Sequence, residues 1–147
     1  MQDKVDNIDL IVKSTWLAVS KMYSEFASEY EGTAVQALTL LKIDPKDGTR
    51  STNLGPKMAI EPTSLTRIIK ILEDNGYIYK EKTPHDKREV IIKLTEKGQQ
   101  HRNISKDVVL SFNKIILEKI KPDEIEIFKK VMNVIVETAG ELNKRKI

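Results

Sequence analysis

The 147-residue chain contains no cysteine. This absence excludes disulfides, thiolate metal sites, cysteine nucleophiles and thiol-based redox sensing. The chain also lacks an apolar run near the ~20 residues that a membrane-spanning helix needs, and its first residues are polar and mixed in charge, unlike a signal peptide. We therefore expect a cytoplasmic protein that does not interact with membranes.

Residues that carry catalytic or metal-binding chemistry are also scarce. Only two histidines are present, His85 and His101, and they are too far apart in sequence to resemble a metal motif. The sequence contains no glycine-rich phosphate loop, no nucleophile elbow and no convergent set of acid, base and nucleophile. We therefore predict no catalytic residue, no metal ion and no cofactor, and we do not expect an enzyme.

Positive charge is concentrated in the middle of the chain. The net charge is +3, but the segment from Arg50 to Arg102 holds eleven basic and seven acidic residues, so it carries +4. The rest of the chain therefore carries −1. A basic middle between nearly neutral flanks is typical of a module that binds a polyanion and is held on a helical scaffold.

Most of the chain has the apolar periodicity of helices. The pattern predicts helices over residues 8–30, 34–43, 51–58, 62–75, 96–120 and about 122–141. Two β-prone runs, 77–82 and 88–94, are separated by a turn-like segment and predict a hairpin. The expected architecture is a mostly α single domain with a small β-hairpin, in the order α-α-α-α-β-β-α-α.

The helices in residues 51–75, joined by a three-residue connection, have the arrangement of a helix-turn-helix. The outward face of the second helix is small, polar and basic, and consists of Thr63, Ser64, Thr66, Arg67 and Lys70. Arg67 can pair with two acceptors of guanine, and Lys70 can contact a phosphate. A solvated helix face is the alternative interpretation of the same residues.

The hairpin that follows this helix can form a wing. Its tip carries Lys87 and Arg88, and an arginine at such a tip can enter a narrow minor groove, where negative potential is concentrated. A simple surface charge is the alternative interpretation of Arg88.

Two segments of the chain resemble the MarR family of bacterial regulators. The run TSLTRIIKILEDNGYI, residues 63–78, is similar to the family's recognition helix and the start of the following strand. The run DKREVIIKLTEKG, residues 86–98, is similar to the family's wing signature. The two segments have the expected separation, and the likeness extends over about residues 8–141.

The resemblance implies a winged helix-turn-helix, with dimerisation helices at about 8–30 and 96–141 and a DNA-binding lobe at about 34–95. In the family, each recognition helix enters a major groove and each wing reaches a minor groove. The resemblance also implies that Asp86 orients Arg88 through an ion pair and that Arg88 contacts DNA. One departure is Pro56, which disfavours regular helix, so the first motif helix is expected to kink or to begin later than Ser51.

The first helix carries an aromatic stripe that includes Trp16 and Tyr23. Such a stripe can pack in a core or a dimer interface, or it can line a pocket for a small-molecule effector, and the sequence leaves these alternatives open. The combined features predict a homodimeric, sequence-specific transcriptional regulator that binds double-stranded DNA at a pseudo-palindromic operator. We expect a repressor that an effector releases; the alternative is a winged-helix protein-interaction module without DNA binding.

Overall fold

The computed structural model describes residues 7–86 and 88–145. Within these residues the helices are α1 (Ile8–Ser28), α2 (Ala34–Lys42), α3 (Ser51–Met58), α4 (Pro62–Asp74), α5 (Glu96–Leu117) and α6 (Pro122–Lys144). The strands are β1 (Thr49–Arg50), β2 (Ile78–Lys82) and β3 (Val90–Leu94). The expectation of a mostly α fold with a small β element is confirmed.

The chain divides into two compact units within α5. The first unit ends at Val108 and the second begins at Val109. The first contains α1 to α4, the three strands and the first half of α5, and the second contains the rest of α5 and α6. None of the helices in the described ranges is long and apolar enough to cross a membrane.

The core of the first unit joins α2, α3 and α4 to the sheet. Its fully buried apolar side chains include Ile43, Leu54, Leu72, Ile78 and Ile92. Burying a side chain of this size stabilises a fold by about 1.5–3 kcal/mol. Because Leu72 belongs to α4 and Ile78 begins β2, the same core fixes the second motif helix and the strand that follows it.

The limits of α4 follow from local backbone chemistry. Pro62 lies in the first turn of the helix. A backbone N–H there has no partner within the helix, so proline, which lacks one, loses no hydrogen bond. At the other end Gly76 has a φ of 75°, a left-handed conformation that glycine adopts without steric cost. The Tyr77 N–H then donates to the Leu72 carbonyl at 2.9 Å, and this bond closes the helix and directs the chain into β2.

The sheet contains one strand that the sequence did not predict. Its strand order is β1-β3-β2, with both pairings antiparallel. β1 contains only Thr49 and Arg50, which pair with Ile92 and Ile91 of β3. The predicted order of elements is therefore wrong in omitting β1. Two residues are too few to show an alternating pattern, and the strand forms because a distant strand supplies its hydrogen-bonding partner.

Pro56 lies inside α3, and the helix nevertheless begins at Ser51. Of the two expected effects of Pro56, a later start of the helix is therefore wrong, and a kink stays a prediction. A non-proline residue at position 56 would donate its N–H to the carbonyl of Thr52. Both Thr52 and Pro56 are exposed, so the missing bond lies on the solvent side of the helix, where water can hydrate the carbonyl.

The start of α5 lies against the backbone of Tyr77. The Thr95 hydroxyl accepts a hydrogen bond from the Gly98 N–H at 3.0 Å, as expected for a residue that caps a helix. A Cβ atom placed on Gly98 would overlap the carbonyl oxygen of Tyr77. Glycine is therefore required at position 98 by this close approach of two backbone segments.

The substitution Gly98→Ala is expected to lower the free energy of unfolding by about 1–3 kcal/mol, the usual cost of overpacking. The reason is that the Tyr77 backbone has to move to admit the methyl group. Urea denaturation would measure the change. Gly140→Ala in α6 is the matched control, because a Cβ there meets nothing within 4 Å; it should stabilise by about 0.5–1 kcal/mol. Equal effects of the two substitutions would contradict this explanation.

Candidate nucleic-acid interface

The helix α4 has one buried face and one polar face. Leu65, Ile69 and Leu72 face the core, as the apolar spacing predicts. The side chains on the opposite face are all exposed: Thr63, Ser64, Thr66, Arg67 and Lys70. The packing of the buried face therefore holds the predicted recognition face in solvent.

The two cations on this face have no acidic partner among the described residues. Ion pairs in the first unit involve other cations, such as Lys80 with Glu73 and Lys93 with Glu81. Arg67 and Lys70 are absent from these pairs. Their charges are therefore available for a ligand that brings negative charge of its own.

The hydroxyls of this face differ in their contacts. The Thr66 hydroxyl donates to the Pro62 carbonyl at 3.0 Å, so its methyl group is the part that faces outward most freely. Thr63 and Ser64 make no side-chain hydrogen bond to any described residue. These short side chains allow a nucleic acid to approach the helix closely, and they can donate to phosphates or base edges.

The wing is formed by β2, β3 and the turn between them. Ile78 pairs with Leu94 and Lys82 pairs with Val90, so the hairpin is in register along its length. Thr83 lies at the start of the turn, and its hydroxyl donates to the Asp86 carbonyl at 2.9 Å. Arg88 is exposed and has no ion pair in the described ranges. The prediction for Lys87 falls outside the described residues.

The contact between Asp86 and Arg88 differs from the one that the family resemblance implied. The Asp86 carboxylate accepts a hydrogen bond from the backbone N–H of Arg88 at 2.9 Å. The expected ion pair with the Arg88 guanidinium is not formed. A short carboxylate in a tight turn bonds most readily to the main chain two residues on, so Asp86 holds the main chain of Arg88 and leaves its exposed guanidinium without an ion pair in the described ranges.

Sequence reasoning missed the link between Glu89, in the wing turn, and Arg50 of β1. The guanidinium Nε of Arg50 forms an ion pair with the Oε1 carboxylate oxygen of Glu89. Arg50 immediately precedes α3, and Glu89 immediately precedes β3. The only sequence signal was that Arg50 begins the basic segment, and nothing in the spacing predicts its partner.

The end of α4 is tied to the start of α5. The Thr95 hydroxyl donates to the Gly76 carbonyl at 2.6 Å, and the Lys97 ammonium donates to the Asn75 carbonyl at 2.9 Å. The same ammonium lies 4.3 Å from the ring centroid of Tyr77, a cation–π contact. These bonds give the C-terminal end of the candidate recognition helix a fixed support.

The residues predicted to line an effector pocket, Trp16 and Tyr23, are not among those that line the cavity near His101. Trp16 is 65% exposed. Tyr23 is half-buried, and burial raises the pKa of its phenol. The cavity has a volume of about 40 Å³ and lies between α1, α2 and the first turns of α5. It has room for one or a few water molecules, and effector pockets of ordinary size are much larger.

This small cavity is lined in part by the rings of Tyr30, Tyr77 and His101. The Tyr77 and His101 rings meet edge to face with their centroids 4.7 Å apart, and the centroids of Tyr30 and His101 are 6.4 Å apart. Burial lowers the pKa of His101, and the nearby charge of Lys97 lowers it further. His101 is therefore neutral at physiological pH and packs as an aromatic ring. No cluster suited to a metal ion occurs in residues 7–86 or 88–145.

Comparison with known proteins matches the parts of the chain that form this surface. The sequence model of the MarR family matches residues 33–90, which include α2 to α4 and the wing turn. The HTH-type transcriptional regulator SarZ of Staphylococcus epidermidis is 28% identical over 90 residues. This match covers 61% of the present chain and spans 61% of the length of that relative.

Solved structures extend the likeness over nearly the whole fold. The transcriptional regulator SlyA superposes with a TM-score of 0.80 at 21% identity, covering 92% of this chain and 96% of that one. MepR of S. aureus, solved as a complex with DNA, gives a TM-score of 0.82 at 14% identity, covering 90% and 98%. The family match therefore covers residues 33–90, and the solved structures show a shared fold over 90–92% of the chain.

Proposed function

We propose that this protein is a transcriptional regulator that binds double-stranded DNA as a homodimer. In this proposal α4 enters the major groove and the hairpin wing reaches the adjacent minor groove. The observation that carries it is the exposure of Arg67, Lys70 and Arg88 on two neighbouring elements, without an acidic partner in the described ranges. Unpaired cations at these places suit a phosphate backbone and the base edges between its strands.

The charge distribution supports a polyanionic ligand. Positive charge is concentrated between Arg50 and Arg102, the segment that contains the helix-turn-helix and the wing. Each cation that neutralises a phosphate releases condensed counterions, so affinity should fall steeply as salt concentration rises. A regulator that acts in this way works by binding and not by catalysis, and it meets its DNA in the cytoplasm of a bacterial cell.

Exposed apolar residues outside the lobe support dimer formation. The helix α1 exposes Ile8, Ile11 and Leu17, and α6 exposes Ile127 and Val131. Large apolar side chains in such numbers are typical of surfaces that a partner covers. A twofold dimer would place two recognition helices about one turn of DNA apart, and it would therefore read a pseudo-palindrome with half-sites ~10 base pairs apart.

We further propose that the regulator is a repressor released by a small molecule. The supporting feature is the cavity at His101, which adjoins Tyr77 at the end of the recognition helix. A ligand that enlarged this cavity would move Tyr77 and, through the hydrogen bonds of Thr95 and Lys97, the end of α4. Trp16 and Tyr23 remain candidates for contact with such an effector in the dimer.

The test of DNA reading uses Arg67→Ala on a duplex selected from a random pool. Loss of a bidentate contact with guanine should weaken binding by about 1–3 kcal/mol per half-site and relax the preference at one base pair. Replacing that guanine with 7-deazaguanine removes the N7 acceptor from the major groove. The analogue should weaken wild-type binding and leave the Arg67→Ala variant almost unaffected, as measured by fluorescence anisotropy.

Lys106→Ala is the matched control, because Lys106 is an exposed cation on α5 outside the proposed interface and its removal changes the net charge equally. This control should keep the wild-type base preference. If the wild-type protein bound no duplex at any salt concentration, the proposal would be wrong, and a protein-interaction module would become the better explanation. If Arg67→Ala kept full affinity and preference, the base contact would have to be assigned elsewhere.

A further inference from the structure

Among the described residues two side-chain ion pairs join the wing to the helix-turn-helix: that of Lys80 with Glu73 on α4, and that of Glu89 with Arg50 beside α3. The second lies nearer the wing tip. The Arg50 guanidinium contacts the Glu89 carboxylate. Arg50 belongs to β1 and immediately precedes α3, so its position is tied to the first motif helix. Glu89 lies between the exposed Arg88 and the first residue of β3. The pair therefore connects the residue next to the wing tip with the start of the motif.

Glu89 also holds both sides of the wing turn. Its backbone N–H donates to the Asp86 carbonyl at 3.1 Å, and its own carbonyl accepts the Thr83 N–H at 3.5 Å. The Thr83 hydroxyl lies 3.4 Å from the second carboxylate oxygen of Glu89. The Glu89 side chain is only 24% exposed, whereas that of Arg50 is 63% exposed. The carboxylate thus forms the inner part of a small polar network.

We propose that Glu89 is a positioning residue that fixes the wing relative to the recognition helix through Arg50. This inference rests on the proposed DNA-binding function and adds to it a determinant of how the two grooves are read together. Arg88 is bonded directly to Glu89, so anchoring Glu89 limits the range over which the Arg88 guanidinium can move. The wing then meets the minor groove at a fixed number of base pairs from the bases that α4 reads.

The need for such an anchor follows from the short pairing between β1 and β3. Only two residue pairs join these strands, the outer one at Ile91, and the part of a hairpin that lacks a third strand is only marginally stable. The wing tip lies beyond the last paired residues of β2 and β3, Lys82 and Val90. Without the restraint at Glu89, movement of the turn would displace the Arg88 guanidinium relative to α4.

The experiment measures where the wing reads the minor groove. A duplex selected by the wild-type protein is scanned by replacing single adenines with 2,6-diaminopurine. This base adds an amino group to the minor groove, as guanine does. It keeps the N7 and N6 groups that adenine presents in the major groove. For the wild-type protein we expect about a tenfold loss of affinity at one or two positions on each flank, the size of a typical single mismatch.

The variant Glu89→Ala should flatten this scan. We expect its largest loss to fall to about twofold and to spread over neighbouring positions, while its response to 7-deazaguanine under α4 stays at the wild-type value. Glu81→Ala is the matched control, since it also removes one carboxylate from the wing and breaks an ion pair, that with Lys93. Glu81 forms no ion pair with Arg50 in the described ranges, so this control should keep the sharp wild-type scan.

Exchanging the charges tests whether the ion pair itself acts. The double variant Arg50→Glu with Glu89→Arg should restore a sharp scan, and a carboxylate at position 50 also suits the N-terminus of α3. Circular dichroism and thermal unfolding would establish that every variant is folded. If Glu89→Ala and Glu81→Ala gave the same scan, or the exchange restored nothing, the positioning role would be overturned although DNA binding stood. If the wild-type protein bound no duplex, the proposed function and this inference would both be wrong.

Discussion

Replacing Arg88 with alanine is expected to lower the affinity for the operator by at least about 30-fold. Arg88 is exposed at the wing, and its backbone is fixed by the 2.9 Å hydrogen bond to Asp86. A specific arginine contact contributes about 1–3 kcal/mol, and a homodimer loses two of them at once. The combined loss of about 2–6 kcal/mol corresponds to between about 30-fold and 10⁴-fold in the dissociation constant.

Salt dependence distinguishes a direct DNA contact of Arg88 from a general change in charge. The slope of the logarithm of affinity against the logarithm of salt concentration should fall by about 2 for the dimer, since about one counterion is released per neutralised phosphate. Lys106→Ala removes the same charge from an exposed site on α5 and should change the slope much less. A gel-shift or anisotropy titration at several salt concentrations would measure both. Wild-type affinity in Arg88→Ala would show that Arg88 does not contribute to DNA binding.

The fold was most predictable where one residue decides the local backbone. Pro62 and Gly76 bound α4 because proline suits a first turn and glycine suits a left-handed residue. The apolar spacing of Leu65, Ile69 and Leu72 determined which face of that helix is buried, and therefore which face is left for a ligand. These features depend on neighbours within one or two turns, and a sequence displays them directly.

Contacts between distant residues were not predictable in the same way. β1 contains only Thr49 and Arg50, and it exists because β3 lies beside it. The ion pair of Arg50 with Glu89 joins residues far apart in the chain, and neither residue type is unusual at its position. Such contacts result from the packing of the whole lobe, so they become visible only when the strands are placed.

The role of Asp86 shows a different limit. The resemblance identified the right residue and implied the wrong partner atom, since the carboxylate accepts a bond from the Arg88 backbone and not from its guanidinium.

The aromatic stripe of α1 shows a third limit of prediction from sequence. Helical spacing correctly grouped Trp16 with its neighbours on α1, but a side chain that is 65% exposed cannot be assigned to core, interface or pocket from spacing alone.

Dimer formation can be tested on α6, which exposes a stripe of large apolar side chains. Ile127, Val131 and Val134 recur at i, i+4 and i+7, and they are 59%, 47% and 53% exposed. We expect Val131→Glu to prevent dimerisation, because a twofold interface would bury two unpaired carboxylates, each at a cost of several kcal/mol. A monomer would lose the advantage of holding two half-sites at once, so affinity for the palindrome should fall by about 10²–10⁴-fold.

Asn133→Glu provides the control, since it places the same charge on the same helix. Asn133 is exposed and projects about 120° away from Ile127 and about 160° away from Val131 around the helix axis, on the polar side of the helix. It should remain dimeric and keep nearly wild-type affinity, which separates loss of the interface from electrostatic repulsion of DNA. Light scattering at micromolar concentration measures the mass, and anisotropy measures the affinity. A Val131→Glu protein that stayed dimeric with full affinity would mean that the two copies meet elsewhere, and the exposed face of α6 would then need another explanation.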